Sequence, residues 1–383
     1  MNNLDNQEKQ KIRIALIYGG RSGEHPISCA TAGAVMRALD PEKYEVLSIA
    51  IAQDGTWVPG EIDPGKLQLN GASTIVKKGD TRILFGGGDG SQELLLVRSA
   101  AGTDDKLEIT SLGRIDVAFP LLHGPFGEDG TIQGLLEMAN VPYVGCGVFA
   151  SAAGMDKDFM KIVLQSKGIA VGSYVAVPKK RWINSREQVL EEVQKLTFPV
   201  YVKPARAGSS LGITRVESLA EVAAAVEDAQ LHDPKVIIES GIDGREIECA
   251  VLGGRGNNPA RAAIPGEVTF AKQSEEFYDF EHKYLDTESL VMNVPPKNLS
   301  AAECERVREL AVRAFQAFEC EGLTRIDMFL KADGTLLVNE INTMPGFTPF
   351  SMYPVMWEKA GMPYAELIEE LISLAIARGT GLH

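Results

Sequence analysis

The sequence predicts a mixed α/β and α+β protein of three domains, opening with an α/β domain. Three observations carry that reading. The chain has 383 residues, too many for one small core. Its first 150 or so residues alternate apolar runs with helical patterns. The remainder holds several short strand patterns and a tight apolar hairpin, with no internal repeat and no low-complexity linker.

In chain order, residues 12–18 (IRIALIY) form an apolar run of the kind a buried parallel strand shows. GGRSGEHPIS follows and leads into a helical pattern, CATAGAVMRALD, with Pro26 suited to the first turn. A second strand fits 44–52, so the opening is strand, loop, helix, strand. Residues 60–113 are weakly patterned, with short strands and a GGGDGS loop read as a hairpin connection. A strand at 117–122 leads into HGPFGEDG, a helix near 131–139 and a strand, PYVG, at 142–145. A second unit begins near Ala150, with a helix around 156–167, strands near 172–177, 199–204 and 236–240, and a helix at 217–229. A third holds a strand at 247–252, a polar segment at 270–290, a helix at 301–319, the hairpin, and an amphipathic helix at 364–377.

Charge and cysteine usage exclude several classes. A formal net charge of -14 argues against nucleic acid or an anionic membrane as partner. It leaves a nucleotide open, since one phosphate chain needs only a few local cations. The five cysteines are scattered, with no CxxC or Cys/His spacing, so neither zinc nor a disulfide framework is expected. The polar start carries no signal-peptide pattern, and no run of about 18 apolar residues is present, so a cytoplasmic protein is expected.

Arg325 to Ser351, RIDMFLKADGTLLVNEINTMPGFTPFS, carries the most chemistry. Read as a hairpin about an Asp333–Gly334 two-residue turn, it sets Asp327 opposite Glu340 and Arg325 opposite Asn342, all on one face. Opposed cross-strand residues sit about 5 Å apart at Cβ. At that range two carboxylates repel by about 3 kcal/mol at an effective dielectric of ~20. A divalent cation reverses the sign, and carboxylate plus amide oxygens suit Mg2+. On a solvated face the acids would instead lean into water, or one would pair with Arg325.

Other residues fit an anionic ligand. Lys203 precedes a Gly/Ser-rich turn in PVYVKPARAGSSLGI, where backbone N–H groups can hold anionic oxygens. Lys157, at a helix start, reads by itself first as a solvated surface lysine, and it fits as a second phosphate clamp because a triphosphate needs more than one cation. No GxxxxGK[ST] occurs, so this is not a P-loop protein. YDFEHKYLD at 278–286 reads as a lid or as a self-packed loop, with Lys283 and Tyr284 placed to reach inward. Glu24 sits at a helix mouth, favoured there by the helix dipole or as counter-charge to a substrate ammonium. His123 ends a strand, where α/β domains bind ligands.

GGRSGEHPIS, LHGPFGEDG, MDK, VKPARAGSSLGI, YDFEHKY and RIDMF…NEINTMPGFT, in this order from about residue 12 to 377, resemble the D-alanine–D-alanine ligase family of the ATP-grasp superfamily. Six separated motifs in order are specific where any one alone is not.

The resemblance implies an N-terminal α/β substrate domain (1–149) and two ATP-grasp domains with antiparallel sheets, central (150–240) and C-terminal (241–383), the last with the 270–290 lid and the metal site. ATP would lie between the two sheets. Glu24, Ser209, Tyr284, Arg325 and Gly346 would form the catalytic set: Glu24 meeting the first substrate's ammonium with Ser209 and Tyr284, Arg325 and the Gly346 N–H meeting the oxyanion. His123, Ser351 and Met352 would touch substrate, Ser351 at the second substrate's carboxylate. Lys157, Lys203, Ser210 and Lys283 would hold phosphates, Glu239 and Glu246 adenine and ribose. Asp327, Glu340 and Asn342 would hold two Mg2+ (or Mn2+). The implied reaction joins two D-alanine molecules through an acyl phosphate, for peptidoglycan precursor synthesis. D-Alanine–D-lactate ligation, or another ATP-grasp carboxylate–amine ligation, is the alternative, and Tyr284 in EHKY favours the dipeptide. Implied partners are ATP and D-alanine, with no nucleic acid and no membrane, in a homodimer. One departure is Ser240, where many members carry a lysine near adenine.

Overall fold

The computed structural model of the chain describes residues 10–68, 75–86, 90–99, 106–208, 211–270 and 290–381. Ser209, Ser210, Lys283, Tyr284 and the 271–289 stretch of the expected lid lie outside the described residues. Two compact units emerge: one of residues up to Leu122, Gly134–Val144 and Tyr364 onward, the other of His123–Gln133 and Gly145–Pro363. Among the described residues no helix is long and apolar enough to cross a membrane.

The first unit is the expected open α/β arrangement. Strand β1 (Ile12–Gly19) is buried along most of its length. Helix α1 (His25–Ala38) carries Pro26 in its first turn, where the fixed φ and missing N–H are tolerated. β2 (Tyr44–Ile51) runs parallel to β1, β3 (Trp57–Pro59) lies antiparallel to β2, and β7 (Val117–Pro120) is parallel to β1, giving the order β3-β2-β1-β7. β4 (Thr81–Phe85), β5 (Glu93–Ser99) and β6 (Leu107–Arg114) make a separate antiparallel sheet, with the glycine loop joining β4 to β5 as expected. PYVG is not a strand: it makes a single parallel bridge, Ala118 with Tyr143. Pro142 offers no N–H, and Gly145 at φ +111° turns the chain away. Helix α2 spans Thr131–Met138, and the last helix, α10 (Tyr364–Arg378), packs on α1 and β7.

The second unit contains two antiparallel sheets. After α3 (Val148–Met155) and α4 (Lys157–Ser166), β8 (Tyr174–Pro178), α5 (Lys179–Asn184), α6 (Arg186–Val193), β9 (Val200–Pro204), β10 (Thr214–Val216), α7 (Leu219–Ala229) and β11 (Lys235–Ser240) build a sheet of order β10-β9-β11-β8. Alternation puts Val175, Val177, Val200, Val202, Val236 and Ile238 on one face, where they form a core with Val189, Val222 and Val226 of α6 and α7. The opposite face carries Tyr174, Tyr201, Lys203 and Glu239 beside Ala176 and the buried Ile237.

The other sheet comprises β12 (Arg245–Leu252), β13 (Arg261–Ala262), β14 (Gly266–Phe270), β15 (Leu290–Asn293), β16 (Leu323–Leu330) and β17 (Leu336–Asn342), in the order β15-β14-β12-β16-β17 with β13 beside β12. Helix α8 (Ala301–Ala317) opens on a capping box, Ser300 with Glu303. It packs Val307, Ala311 and Phe315 on Ile247, Cys249, Ile326, Met328, Val338 and Ile341. Helix α9 (Met352–Lys359) follows the loop after β17. The mixed fold class and the two antiparallel sheets agree with the sequence reading.

The turn of the β16–β17 hairpin differs in detail. Lys331 N–H donates to Thr335 O and Gly334 stands at φ +80°, so the loop holds one more residue than the two expected. Near the turn the register is Met328 with Val338 and Leu330 with Leu336; beyond a bulge it becomes Asp327 with Glu340 and Arg325 with Asn342. The added turn residue and the bulge at Asn339 cancel.

Candidate active site

The polar face of the β8–β11 sheet is organised about one carboxylate. Glu239 on β11 lies opposite Tyr201 of β9 and Tyr174 of β8. Lys203, diagonal to it on β9, places Nζ 2.5 Å from Glu239 Oε2. From α4, Lys161 places Nζ 2.7 Å from Glu239 Oε1. Burial works to raise the Glu239 carboxyl, but Lys203 and then Lys161 outweigh it and hold it well below the usual carboxylate range. Burial likewise disfavours the charged Lys203, yet Glu239 outweighs it and raises the ammonium above its ordinary value. Ser240 Oγ accepts from the Thr197 N–H at 3.1 Å.

The facing side of the β12–β17 sheet carries a row of acids. Glu248 of β12, Asp327 of β16 and Glu340 of β17 sit side by side in register. Arg325 forks onto Asp327, Nε to Oδ1 and Nη2 to Oδ2, both at 2.7 Å. Its Nε also lies 3.1 Å from Glu248 Oε2. Burial disfavours the guanidinium's charge, but Asp327 and Glu248 more than compensate and hold Arg325 well above the ordinary arginine range. Asn342 Nδ2 donates to Asp327 Oδ2 at 2.8 Å. Glu246, two residues before Glu248, shares this face and is exposed.

Helix α4 links the two faces. Its start is fixed by Asp156, whose Oδ1 accepts from the N–H groups of Asp158 and Phe159. Lys235 at the start of β11 pairs with Asp156 and Asp158 at 2.8 and 2.6 Å. So anchored, Lys157 donates from Nζ to Ala207 O at 3.0 Å and stands 3.4 Å from Glu340 Oε1. His123 is buried, with Nδ1 3.2 Å from Met344 O in the loop after β17. In that loop Ser351 Oγ accepts from the Thr348 N–H at 3.1 Å, and a Cβ on Gly346 would come within 3.2 Å of the same Oγ. Met352 is buried at the start of α9. Glu24 belongs to the first unit, where it is the N-cap of α1 and is mostly buried.

The residues present suit Mg2+. Two carboxylates and an amide on one sheet face are hard oxygen donors. Asp327 Oδ1 accepts one hydrogen bond, from Arg325, and keeps a lone pair for a ligand. Among the described residues no three His, Cys, Asp or Glu side chains gather into a ready cage. That is the usual case for Mg2+, which takes one or two carboxylates and completes its shell with substrate phosphates and water.

The second unit therefore gathers Lys157, Lys203, Glu239, Glu246, Arg325, Asp327, Glu340 and Asn342 about two facing polar surfaces. Sequence reasoning did not single out Lys161 or Glu248. Lys161 lies four residues after Lys157 on one helix, which already puts the two on the same face. Glu248 alternates with the core residues Ile247 and Cys249, which points it to the polar side of β12.

Two family models match the chain: D-ala D-ala ligase N-terminus over residues 13–146 and D-ala D-ala ligase C-terminus over residues 163–373. A D-alanine–D-alanine ligase of Pseudarthrobacter chlorophenolicus is 51% identical over 98% of this chain and 96% of its own length. One of Streptomyces avermitilis is 46% identical over 98% of this chain and 97% of its own. Among solved structures, the D-alanine–D-alanine ligase of Coxiella burnetii aligns at TM-score 0.77 and 33% identity, covering 96% of this chain and 94% of that one. The VanG D-Ala:D-Ser ligase of Enterococcus faecalis aligns at TM-score 0.79 and 32% identity, covering 96% and 100%. With both halves matched and relatives this similar along nearly the whole length, the chain belongs to the D-alanine–D-alanine ligase family.

Proposed function

We infer that this protein joins two D-alanine molecules at the expense of ATP, making D-alanyl-D-alanine for peptidoglycan precursors in the cytoplasm. The observation that carries the reading is the single polar face shared by Arg325, Asp327, Glu340 and Asn342, with Lys157 beside Glu340. A carboxylate is a poor acyl donor, so an oxygen of the first D-alanine attacks the γ-phosphorus and ADP leaves. The amine of the second D-alanine then attacks the acyl carbon, phosphate departs, and the amine gives up its proton. Phosphoryl transfer asks the protein chiefly for positioning and charge neutralisation.

In this reading Lys157, Lys203, Ser210 and Lys283 hold the phosphates, and Glu239 and Glu246 bind adenine and ribose. The Ser240 hydroxyl, occupied by Thr197, leaves adenine to backbone groups. Asp327, Glu340 and Asn342 hold two Mg2+ ions (or Mn2+). The bound metal supplies neutralisation of the phosphate charge. Arg325, fixed by Asp327 and Glu248, donates to the tetrahedral oxyanion with the Gly346 N–H. Glu24, Ser209 and Tyr284 are assigned to the first ammonium. His123, Ser351 and Met352 line the amino-acid side, and the 270–290 segment shields the acyl phosphate from water. The domain limits 1–149, 150–240 and 241–383 and a homodimer belong to the same proposal.

The test is a substrate panel with ATP and Mg2+. Phosphate release should need D-alanine. D-Alanine should beat D-serine and D-lactate as second substrate between about pH 6 and 9. D-Serine is included because VanG, the D-Ala:D-Ser ligase, aligns at 32% identity; the relatives near 50% are D-alanine–D-alanine ligases. Lactate preference across that range would overturn the dipeptide reading.

A further inference from the structure

Glu239 is a buried carboxylate with two ammonium partners, and the two are not equivalent. The Lys161 side chain is 2% exposed and Glu239's is 8% exposed, whereas Lys203 keeps 17% exposure. Lys161 sits within the helix body, its Nζ also 5.7 Å from the Tyr174 ring centroid. Lys203 is the penultimate residue of β9, just before the turn at Ala205–Arg206. It feels the negative charges of Glu340 and Glu246 as well as Glu239. One cation is enclosed. The other lies at the border between the carboxylate and the acidic sheet.

We propose that Lys161 is the resident counter-ion of Glu239, so that Lys203 can leave that carboxylate for the phosphates of a bound nucleotide. This rests on the reading of Lys203 as a phosphate ligand. The physical reason is the cost of a lone buried charge. If Lys203 were the sole partner, moving to a phosphate would leave a buried, ionised carboxylate with no ammonium partner. With Lys161 in place, Glu239 keeps a bonded partner at Oε1, and Oε2 is released to accept from a donor on the nucleotide base. Lys161 acts through Glu239 and is a positioning residue. Its own ammonium touches neither phosphate nor amino acid.

The test compares full-length wild type, K161M, E239Q and K161M/E239Q in binding of a non-hydrolysable ATP analogue with Mg2+, alongside D-alanine binding and melting curves. K161M should stay folded and lose roughly tenfold in analogue affinity with D-alanine affinity unchanged, because Lys203 is then held by an otherwise unpaired Glu239. Adding E239Q should remove the penalty, bringing the double variant to within about threefold of E239Q alone. A merely structural lysine would show additive losses. K161M with wild-type affinity, or an equal loss with and without Glu239, would overturn the proposal. If K161M does not fold, K161R takes its place: retained charge must retain affinity, and a loss of about tenfold or more overturns the proposal. Wild-type protein that releases no phosphate with D-alanine would sink the ligase reading itself. Active wild type with an indifferent K161M sinks this inference alone.

Discussion

Asp327 lies directly opposite Glu340, and the bulge at Asn339 puts it there. The turn with its extra residue would, in a regular ladder, have set Asp327 against Asn339 and sent Glu340 toward the core. The core pattern agrees: Val338 and Ile341 are both buried although three apart, a spacing that a strand accommodates only with one residue looped out. Deleting Asn339 should therefore regularise the ladder and leave Glu340 facing Asp327. Inserting an alanine between Asn339 and Glu340 also restores alternation, but it should move Glu340 off Asp327 to the place opposite Arg325. Mg2+-dependent ADP formation is expected to survive the deletion and vanish on the insertion, with circular dichroism confirming that both proteins fold.

Glu340→Gln keeps shape and removes a charge from the facing pair. Turnover should fall by about 100-fold or more, the scale of losing one main electrostatic contact in a transition state. Coupled-assay rates at saturating ATP and D-alanine would measure it, and a near-normal rate would take Glu340 out of the metal site.

Arg325 is held by a fork onto both oxygens of Asp327 and by Glu248. Lysine cannot reproduce two parallel N–H bonds. R325K should lower kcat by about 100-fold while the KM for ATP changes little, since the guanidinium is assigned to the oxyanion. A large rise in KM with kcat intact would move Arg325 to ground-state binding.

Gly334 has room for a methyl group, with Arg306 Nη1 3.6 Å from a built Cβ, but its φ is +80°. G334A should therefore destabilise by about 1–2 kcal/mol from backbone strain alone. Denaturant midpoints would report it. Turnover at saturating substrate should barely change, because the bulge, not the turn residue itself, sets which face Glu340 presents.

The Glu239 cluster sets a pH window. Its carboxyl is depressed in the folded protein, so its contribution is complete above the unfolded value of about 4.3 and is lost as pH falls toward the folded one. Lys203 is raised, so its contribution is complete below about 10.4 and is lost as pH rises through the folded value. Melting temperature should be level between about pH 5 and 10 from these groups and fall outside it. E239Q should lower the plateau and flatten the acid limb. An acid limb unchanged in E239Q would mean other carboxylates set it.

The hairpin was readable because its functional side chains alternate with aliphatic ones, so facing follows from spacing. The two errors about its turn were invisible in that logic, because each shifts register by one residue and they cancel. Lys161 escaped because a lysine in an amphipathic helix looks like surface; only the placement of α4 on β11 through Lys235 turns it inward. Helices at Val148–Met155 and Met352–Lys359 were hidden by small or aromatic, loop-like sequence. PYVG read as a strand from its apolar residues, while the missing Pro142 donor and the Gly145 turn confine it to one bridge.

Helix α10 belongs to the same compact unit as β1, although some 350 residues of chain separate them. On the ribosome, then, the amino-terminal portion must wait half-finished until α10 has been made. A fragment stopped near residue 150 would leave bare the side of α1 and β7 that α10 covers, the kind of exposed surface that chaperones hold.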